Sequence, residues 1–203
     1  MRFYLFKSFN YCVHMFIIKN KYFFIIESIK DIDLKNIKKK NKFSIIYRNN
    51  IDVESKFELL KFRKECKTKS IKFYVANDIS LALDLNSDGL YLSASNKSFR
   101  ALLSRRNLEI IGSAHNIREI DLKKKQGCDF ILFSKLFLVN YDKKAPFLGV
   151  LKFNNFLKLN KKLIPLGGIN SNNLNSLNLV DSAGFALKSE IKKKPANIIN
   201  RLF

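Results

Sequence analysis

Short apolar bursts separated by longer amphipathic stretches set the rhythm of this chain. Bursts rich in β-branched and aromatic residues predict strands at Tyr22–Glu27, Phe43–Arg48, Ile71–Ala76, Gly89–Leu92, Glu109–Gly112, Phe130–Phe133, Leu163–Leu166 and Gly184–Leu187. The stretches after them predict helices over Ile32–Lys40, Val53–Cys66, Ile79–Leu85, Ser98–Arg105, Asn116–Gln126, Val150–Leu157, Leu174–Leu179 and Glu190–Leu202. Phe57, Leu60 and Phe62, and likewise Ile117, Ile120 and Leu122, recur near helical spacing among charged neighbours, so these helices are expected to bury one face. Strands alternating with crossover helices predict a parallel sheet, and eight such units predict closure. The expected architecture is a small, single (β/α)8 TIM barrel over residues 21–203, preceded by an N-terminal extension over 1–20. A doubly wound open sheet is the alternative, but it seldom keeps so regular a count.

Composition supports one folded core. The 203 residues are 47% hydrophobic and 27% charged, which excludes a disordered chain. Charge adds a question: 38 Lys+Arg against 17 Asp+Glu give +21, which on its face points to nucleic acid or an anionic membrane. Two observations argue otherwise. The chain is crowded with Lys, Asn, Ile and Phe and poor in Gly (7), Pro (3) and Trp (0), as A+T-rich codons would give. The runs Lys38–Lys40, Lys123–Lys125 and Lys192–Lys194 read as helix-end or loop runs; in the last turn of a helix or just after it, cations suit the dipole and face away from a barrel's active mouth. Neither nucleic-acid binding nor membrane attachment is favoured.

Cys12, Cys66 and Cys128 form no paired spacing and read as thiols of a reducing, cytoplasmic environment. Lys7, Lys19 and Lys21 interrupt the apolar N-terminal segment short of the roughly 18 residues a membrane span needs. Met15 opens the run into the first strand, so residues 1–14 read as an add-on or a mis-called start.

The sharpest segment chemically is Pro165-Leu166-Gly167-Gly168-Ile169-Asn170, directly after the seventh strand. Paired glycines there let the backbone approach a ligand and offer N–H groups to a phosphate, and Ser189 after the eighth strand adds a hydroxyl. A plain strand-to-helix turn is the competing explanation. The loops after strands seven and eight are the usual phosphate site of this barrel class.

Gly167-Gly168-Ile169-Asn170 followed by Ala183-Gly184-Phe185-Ala186-Leu187 resembles the closing motif of the thiamine-phosphate synthase and TenI superfamily. Asn77-Asp78 with Asp88-Gly89-Leu90-Tyr91-Leu92, Gly112-Ser113-Ala114-His115 with Cys128-Asp129-Phe130, and Lys144-Ala145-Pro146-Phe147-Leu148-Gly149 match further motifs in order. The resemblance implies a transferase that joins hydroxymethylpyrimidine diphosphate to a thiazole phosphate, releases pyrophosphate and uses Mg²⁺. It implies small phosphorylated partners and is compatible with a homo-oligomer.

Carried over residue by residue, the resemblance assigns Arg48, Ser113 and Lys143 to catalysis, with Lys144 as an alternative reached by a one-residue slip. It assigns Asn77, Gly167, Gly168 and Ser189 to substrate and phosphate binding, and Asp78 and Asn96 to the metal. Asn96 stands where the family has a carboxylate, Tyr91 where it has a histidine, and Asn50 where it has a lysine. Two further functions therefore remain open. One is a non-catalytic barrel that binds thiazole phosphate. The other is a TenI-type thiazole tautomerase, whose acid/base position is Lys135 here.

Overall fold

The computed structural model describes residues 21–37, 42–49, 54–104, 108–139 and 144–188. Eight parallel strands close into a barrel in sequence order: β1 (Lys21–Ile26), β2 (Phe43–Tyr47), β3 (Lys72–Ala76), β4 (Gly89–Leu92), β5 (Glu109–Ala114), β6 (Phe130–Ser134), β7 (Leu163–Leu166) and β8 (Gly184–Leu187). Every expected strand is present. The closing seam pairs β1 with β8, Tyr22 opposite Phe185 and Phe24 opposite Leu187.

Strand alternation divides the core in two. Phe23, Ile25, Ile46, Tyr74, Tyr91, Ile111, Leu132, Ile164 and Ala186 fill the barrel's interior. The opposite faces, including Phe24, Phe43, Ile45, Phe73, Leu90, Ile110, Ile131 and Phe185, pack in the shell between strands and helices.

Among the described residues four α-helices pack outside: α1 (Lys56–Thr68), α2 (Ile79–Asp84), α3 (Ile117–Lys125) and α4 (Gly149–Leu159). Ser55 and Glu58 form a capping box at the start of α1, which buries Leu59, Phe62, Arg63 and Cys66. Its apolar stripe is therefore rotated from the expected one: Phe57 is exposed and Leu60 partly so. Arg63 donates to an Asp88 carboxylate oxygen (3.1 Å), whose other oxygen accepts the Phe73 amide (2.7 Å), so Asp88 ties α1 to the foot of β3.

Three expected helices shrink to 3-10 turns, each for a local reason. In 32–40, Asp31 accepts the amides of Glu27 and Ser28 and Asp33 accepts that of Lys35, so side chains hold short turns at Ile29–Asp31 and Leu34–Asn36. In 98–105, the Asn96 and Ser98 carbonyls accept from Gln126 Nε2 (3.0 and 2.8 Å), leaving only a turn at Arg100–Ser104. Leu174–Leu179 follows a turn closed by asparagine side chains and is likewise 3-10. The expected helix over 190–202 and the extension over 1–20 lie outside the described residues.

The lysine run ends α3 as expected, but one of its members turns to the loop after β4 instead of away from the mouth. Lys124 and Lys125 are exposed, but Lys123 is 0% exposed. Cys66 and Cys128 are buried thiols, and burial pushes the Cys66 thiol up to about 12. Among the described residues no helix is long and apolar enough to cross a membrane.

Candidate functional site

The alternation that points Ile46, Ile111, Leu132 and Ala186 inward carries Arg48, Ser113, Ser134 and Lys188 to the same face two residues later, at the C-terminal mouth. The expected site residues that the structure describes all lie at this end of the barrel.

One side is built from backbone. Gly167 and Gly168 adopt φ of +91° and +73°. A side chain on Gly168 would stand 2.3 Å from the Phe137 carbonyl oxygen, and one on Gly167 would stand 3.2 Å from Lys135 Cα. The loop after β6 therefore runs against the glycine pair: Phe137 N–H donates to the Gly167 carbonyl (3.0 Å), and Lys135 lies beside Gly167. Asn173 donates to the Gly168 carbonyl (2.7 Å) and accepts the Asn170 amide (2.9 Å), which fixes the turn. The Gly168 amide donates to no acceptor among the described residues, whereas the Gly167 amide lies on the edge of β7 that pairs with Ala186 of β8. At the seam, Lys188 Nζ pairs with Glu27 (3.0 Å).

The opposite side, after β3 and β4, is built from side chains. Asn77, at φ +61°, donates its amide to the Tyr91 carbonyl (2.8 Å). Its Oδ1 accepts both the Ser93 amide (3.0 Å) and Asn96 Nδ2 (3.0 Å). Asn96 Oδ1 in turn accepts the Ser98 amide (2.9 Å). Behind this loop, Lys123 Nζ donates to the Ser93 carbonyl (2.7 Å), the Asn96 carbonyl (2.8 Å) and Gln126 Oε1 (2.9 Å). Three acceptors require all three ammonium protons, so the group is charged as it stands, although desolvation pulls its pKa down.

Between the two sides, Tyr91 and Ser113 are hydrogen-bonded through their hydroxyls inside the barrel; burial pushes the phenol up, while Ser113 and the charge of Arg48 pull the other way. His115 Nδ1 meets the Ser134 hydroxyl at 2.7 Å, and the His115 amide donates to Glu119 (2.7 Å) just before the α3 cap at Asn116. A third part of the rim is organised by Glu54. It accepts from Tyr47 (2.5 Å), Asn49 (3.1 Å) and the Ile29 amide (3.0 Å).

Of the residues expected from sequence, Asn77 and Asn96 are hydrogen-bonded to each other, Asp78 follows Asn77 but turns its side chain to cap α2, Ser113 lies inward of them, Arg48 is half-buried at the end of β2, and Gly167 and Gly168 face them from β7. Lys144 is exposed; Lys143, Ser189 and Asn50 lie outside the described residues. Sequence reasoning missed Ser134, Lys188 and Glu27. Continuing the period-two register past each strand end would have found them. Lys123 left no such signal inside its triple-lysine run.

The donor set does not fit a divalent cation. Asp78 Oδ1 caps α2 by accepting the Leu81 amide (2.9 Å), and the Asn77 and Asn96 side-chain oxygens are taken by N–H donors, which leaves one oxygen of these three side chains, Asp78 Oδ2, to offer a cation. Hard cations need several free oxygens. Among the described residues no three His, Cys, Asp or Glu side chains gather to supply them.

Comparison with known proteins places this geometry. A family profile described as thiamine monophosphate synthase matches residues 33–191. A thiamine-phosphate synthase of Prochlorococcus marinus subsp. pastoris is 32% identical over 136 residues, 64% of this chain and 38% of that protein. One from Clostridioides difficile is 28% identical over 141 residues, 66% of this chain and 65% of that protein. The match thus spans less than two thirds of either relative. Among solved structures, thiamine phosphate pyrophosphorylase from Pyrococcus furiosus shares the fold with a TM-score of 0.68 at 18% identity, covering 91% of this chain and 98% of that one. With the profile running from before β2 to beyond β8, this chain belongs to the thiamine monophosphate synthase/TenI family.

Proposed function

We propose that the protein is a divergent thiamine-phosphate synthase that joins hydroxymethylpyrimidine diphosphate to thiazole phosphate. The observation that carries this reading is the glycine turn: two glycines held at positive φ beside Lys135, the second with an amide that meets no acceptor among the described residues, at the mouth of a barrel of this family. Such a turn suits a phosphate monoester, which accepts hydrogen bonds from convergent N–H groups. Arg48 and Ser113, on the inner face toward the β3–β4 side, suit the diphosphate of the other substrate.

In the reaction, the bond between the pyrimidine's exocyclic methylene and the diphosphate oxygen breaks, and the electron pair leaves with pyrophosphate. The thiazole nitrogen then supplies a pair to the methylene carbon and forms the new C–N bond. Arg48 would neutralise charge that grows on the leaving oxygen, and Ser113 would donate to it. Glycine-turn amides would hold the thiazole's phosphate so that its nitrogen faces the methylene.

The test is the full chain with both substrates, followed by thiamine phosphate and pyrophosphate in equal amounts. Product lost on Arg48→Ala supports the assignment. The neutral amide at Asn96, in place of the family's carboxylate, favours a second reading in which the barrel only binds thiazole phosphate. Saturable binding of that ligand without product would select it.

A further inference from the structure

We infer that the mouth of this barrel takes diphosphate without a divalent cation, and that buried Lys123 is the positioning residue that makes it so. The inference rests on reading the mouth as a diphosphate site. A cation site presents free oxygens, and here those on the β4 side are spent. The carbonyls of Ser93 and Asn96 are turned to Lys123, that of Ser98 to Gln126, and the side-chain oxygens of Asn77 and Asn96 to N–H donors. A trans peptide directs its N–H opposite to its C=O. The amides of Ala94 and Lys97, which follow the two carbonyls bound to Lys123, therefore point away from the ammonium. The loop is thus polarised at two peptides, whose oxygens face the fixed positive charge and whose N–H groups face outward, while the amides of Ser93, Asn96 and Ser98 are bound within the network.

The same charge works against Mg²⁺. An ammonium touching the backbone of Asn96 repels a dication placed at that side chain, which is itself a neutral amide; the nearest expected carboxylate, Asp78, has one oxygen committed to the α2 cap. An anion gains from the arrangement twice, through the outward amides and through a charge whose field is little screened behind the loop. Lys123 also fixes the loop mechanically. Its bonds and those of Gln126 tie residues 93–98 to α3, and Asn96 passes that restraint to Asn77 on the β3 loop.

Calorimetric titration of the full chain with inorganic pyrophosphate, in EDTA and in saturating Mg²⁺, tests this. The wild-type chain is expected to bind in EDTA, with Mg²⁺ changing affinity by less than about threefold. Lys123→Met should lower the metal-free affinity by roughly tenfold or more. Asn96→Asp, at a partly exposed position where folding is not at stake, should weaken binding in EDTA and make it Mg²⁺-dependent. Wild-type binding seen only with Mg²⁺, binding in neither condition, or an Asn96→Asp chain indifferent to metal would each overturn the inference; the last comparison serves even where Lys123→Met fails to fold. Pyrophosphate bound in EDTA with no thiamine phosphate formed would sink the synthase reading and keep this one. Product formed only with Mg²⁺ would do the reverse.

Discussion

The two sides of the barrel mouth are made of different material. After β7 the working groups are backbone amides, set by the φ of Gly167 and Gly168 and by the close passage of residues 135–138. After β3 and β4 they are side chains: Asn77 and Asn96 bonded to each other, with a buried ammonium behind. A backbone site depends on a few residues that must be glycine and is indifferent to its other neighbours. A side-chain site can exchange its charges while the strands beneath stay in place. On the resemblance read from sequence, this difference would account for the glycine side matching the family's motif while Asn96 stands where that motif has a carboxylate.

The strongest way to break that contrast is to put a side chain where only backbone fits. Gly168→Ala adds a left-handed alanine and a contact with the Phe137 carbonyl, and should cost roughly 3 kcal/mol or more. Gly149 is the matched control. It also has positive φ, +69°, but open space around the added carbon, so Gly149→Ala should cost about 1 kcal/mol. Chemical denaturation of both variants measures the difference, and equal losses would mean that close approach contributes nothing at Gly168.

On the other side, Asn77 combines both materials, since it holds positive φ and accepts two hydrogen bonds. Asn77→Ala should cost about 2 kcal/mol, and Asn77→Gly, which loses the bonds but tolerates the φ, about 1 kcal/mol. Loop exchange protection at residues 93–98 should fall equally in both variants. Unequal protection would show that the backbone conformation, rather than the amide bond, holds the β4 loop.

How legible these two sides were in the sequence follows from the same difference. A glycine pair after a strand announces a positive-φ turn directly, because few other residues tolerate it. All eight strands were legible too, since short continuous apolar runs bounded by polar segments are what parallel strands buried on both faces require. The 98–105 helix was not. Its amphipathic spacing is real, yet Gln126 and Lys123, distant in sequence, claim the carbonyls before it and hold the segment otherwise. Lys123 was hidden for a related reason: a lysine within Lys123–Lys125 looks solvated until α3 docks on β5, and only then do its acceptors exist. The rotated stripe of α1 shows the same limit, because Leu59 and Phe62 pack inward in preference to the equally apolar Phe57.

A smaller effect should separate the materials by pH. Burial pushes the Glu54 carboxyl up, but hydrogen bonds from Ser28, Tyr47, the Ile29 amide and Asn49 outweigh it and hold it below the ordinary carboxylate range. A depressed folded pKa adds stability that is present above the unfolded value, about 4.3, and is lost as pH falls through the folded one. Acidification should therefore loosen residues 27–31 and 47–49 before the glycine turn at 167–170. Glu54→Gln should abolish that order, as read by hydrogen exchange across the acid range. Simultaneous loosening in the wild-type chain would mean that the rim acts as one unit.

The smallest effect belongs to the hydroxyl pair between the two sides. Tyr91 occupies the interior of the barrel and bonds Ser113, whose hydroxyl is the proposed donor to the leaving diphosphate. Burial raises the phenol's pKa, so it stays neutral through the physiological range and contributes a hydrogen bond and a ring, without charge. Tyr91→Phe retains the ring and leaves Ser113 able to turn toward the mouth, so stability should change by no more than about 1 kcal/mol. Pyrophosphate affinity should hold or rise, because a competing partner of Ser113 is gone. Ser113→Ala should instead lower it. If Tyr91→Phe lowered affinity as much as Ser113→Ala, and the double variant did no worse than either, the two hydroxyls would be acting as one element. The side-chain half of the mouth would then reach a full layer deeper into the barrel than the glycine half does.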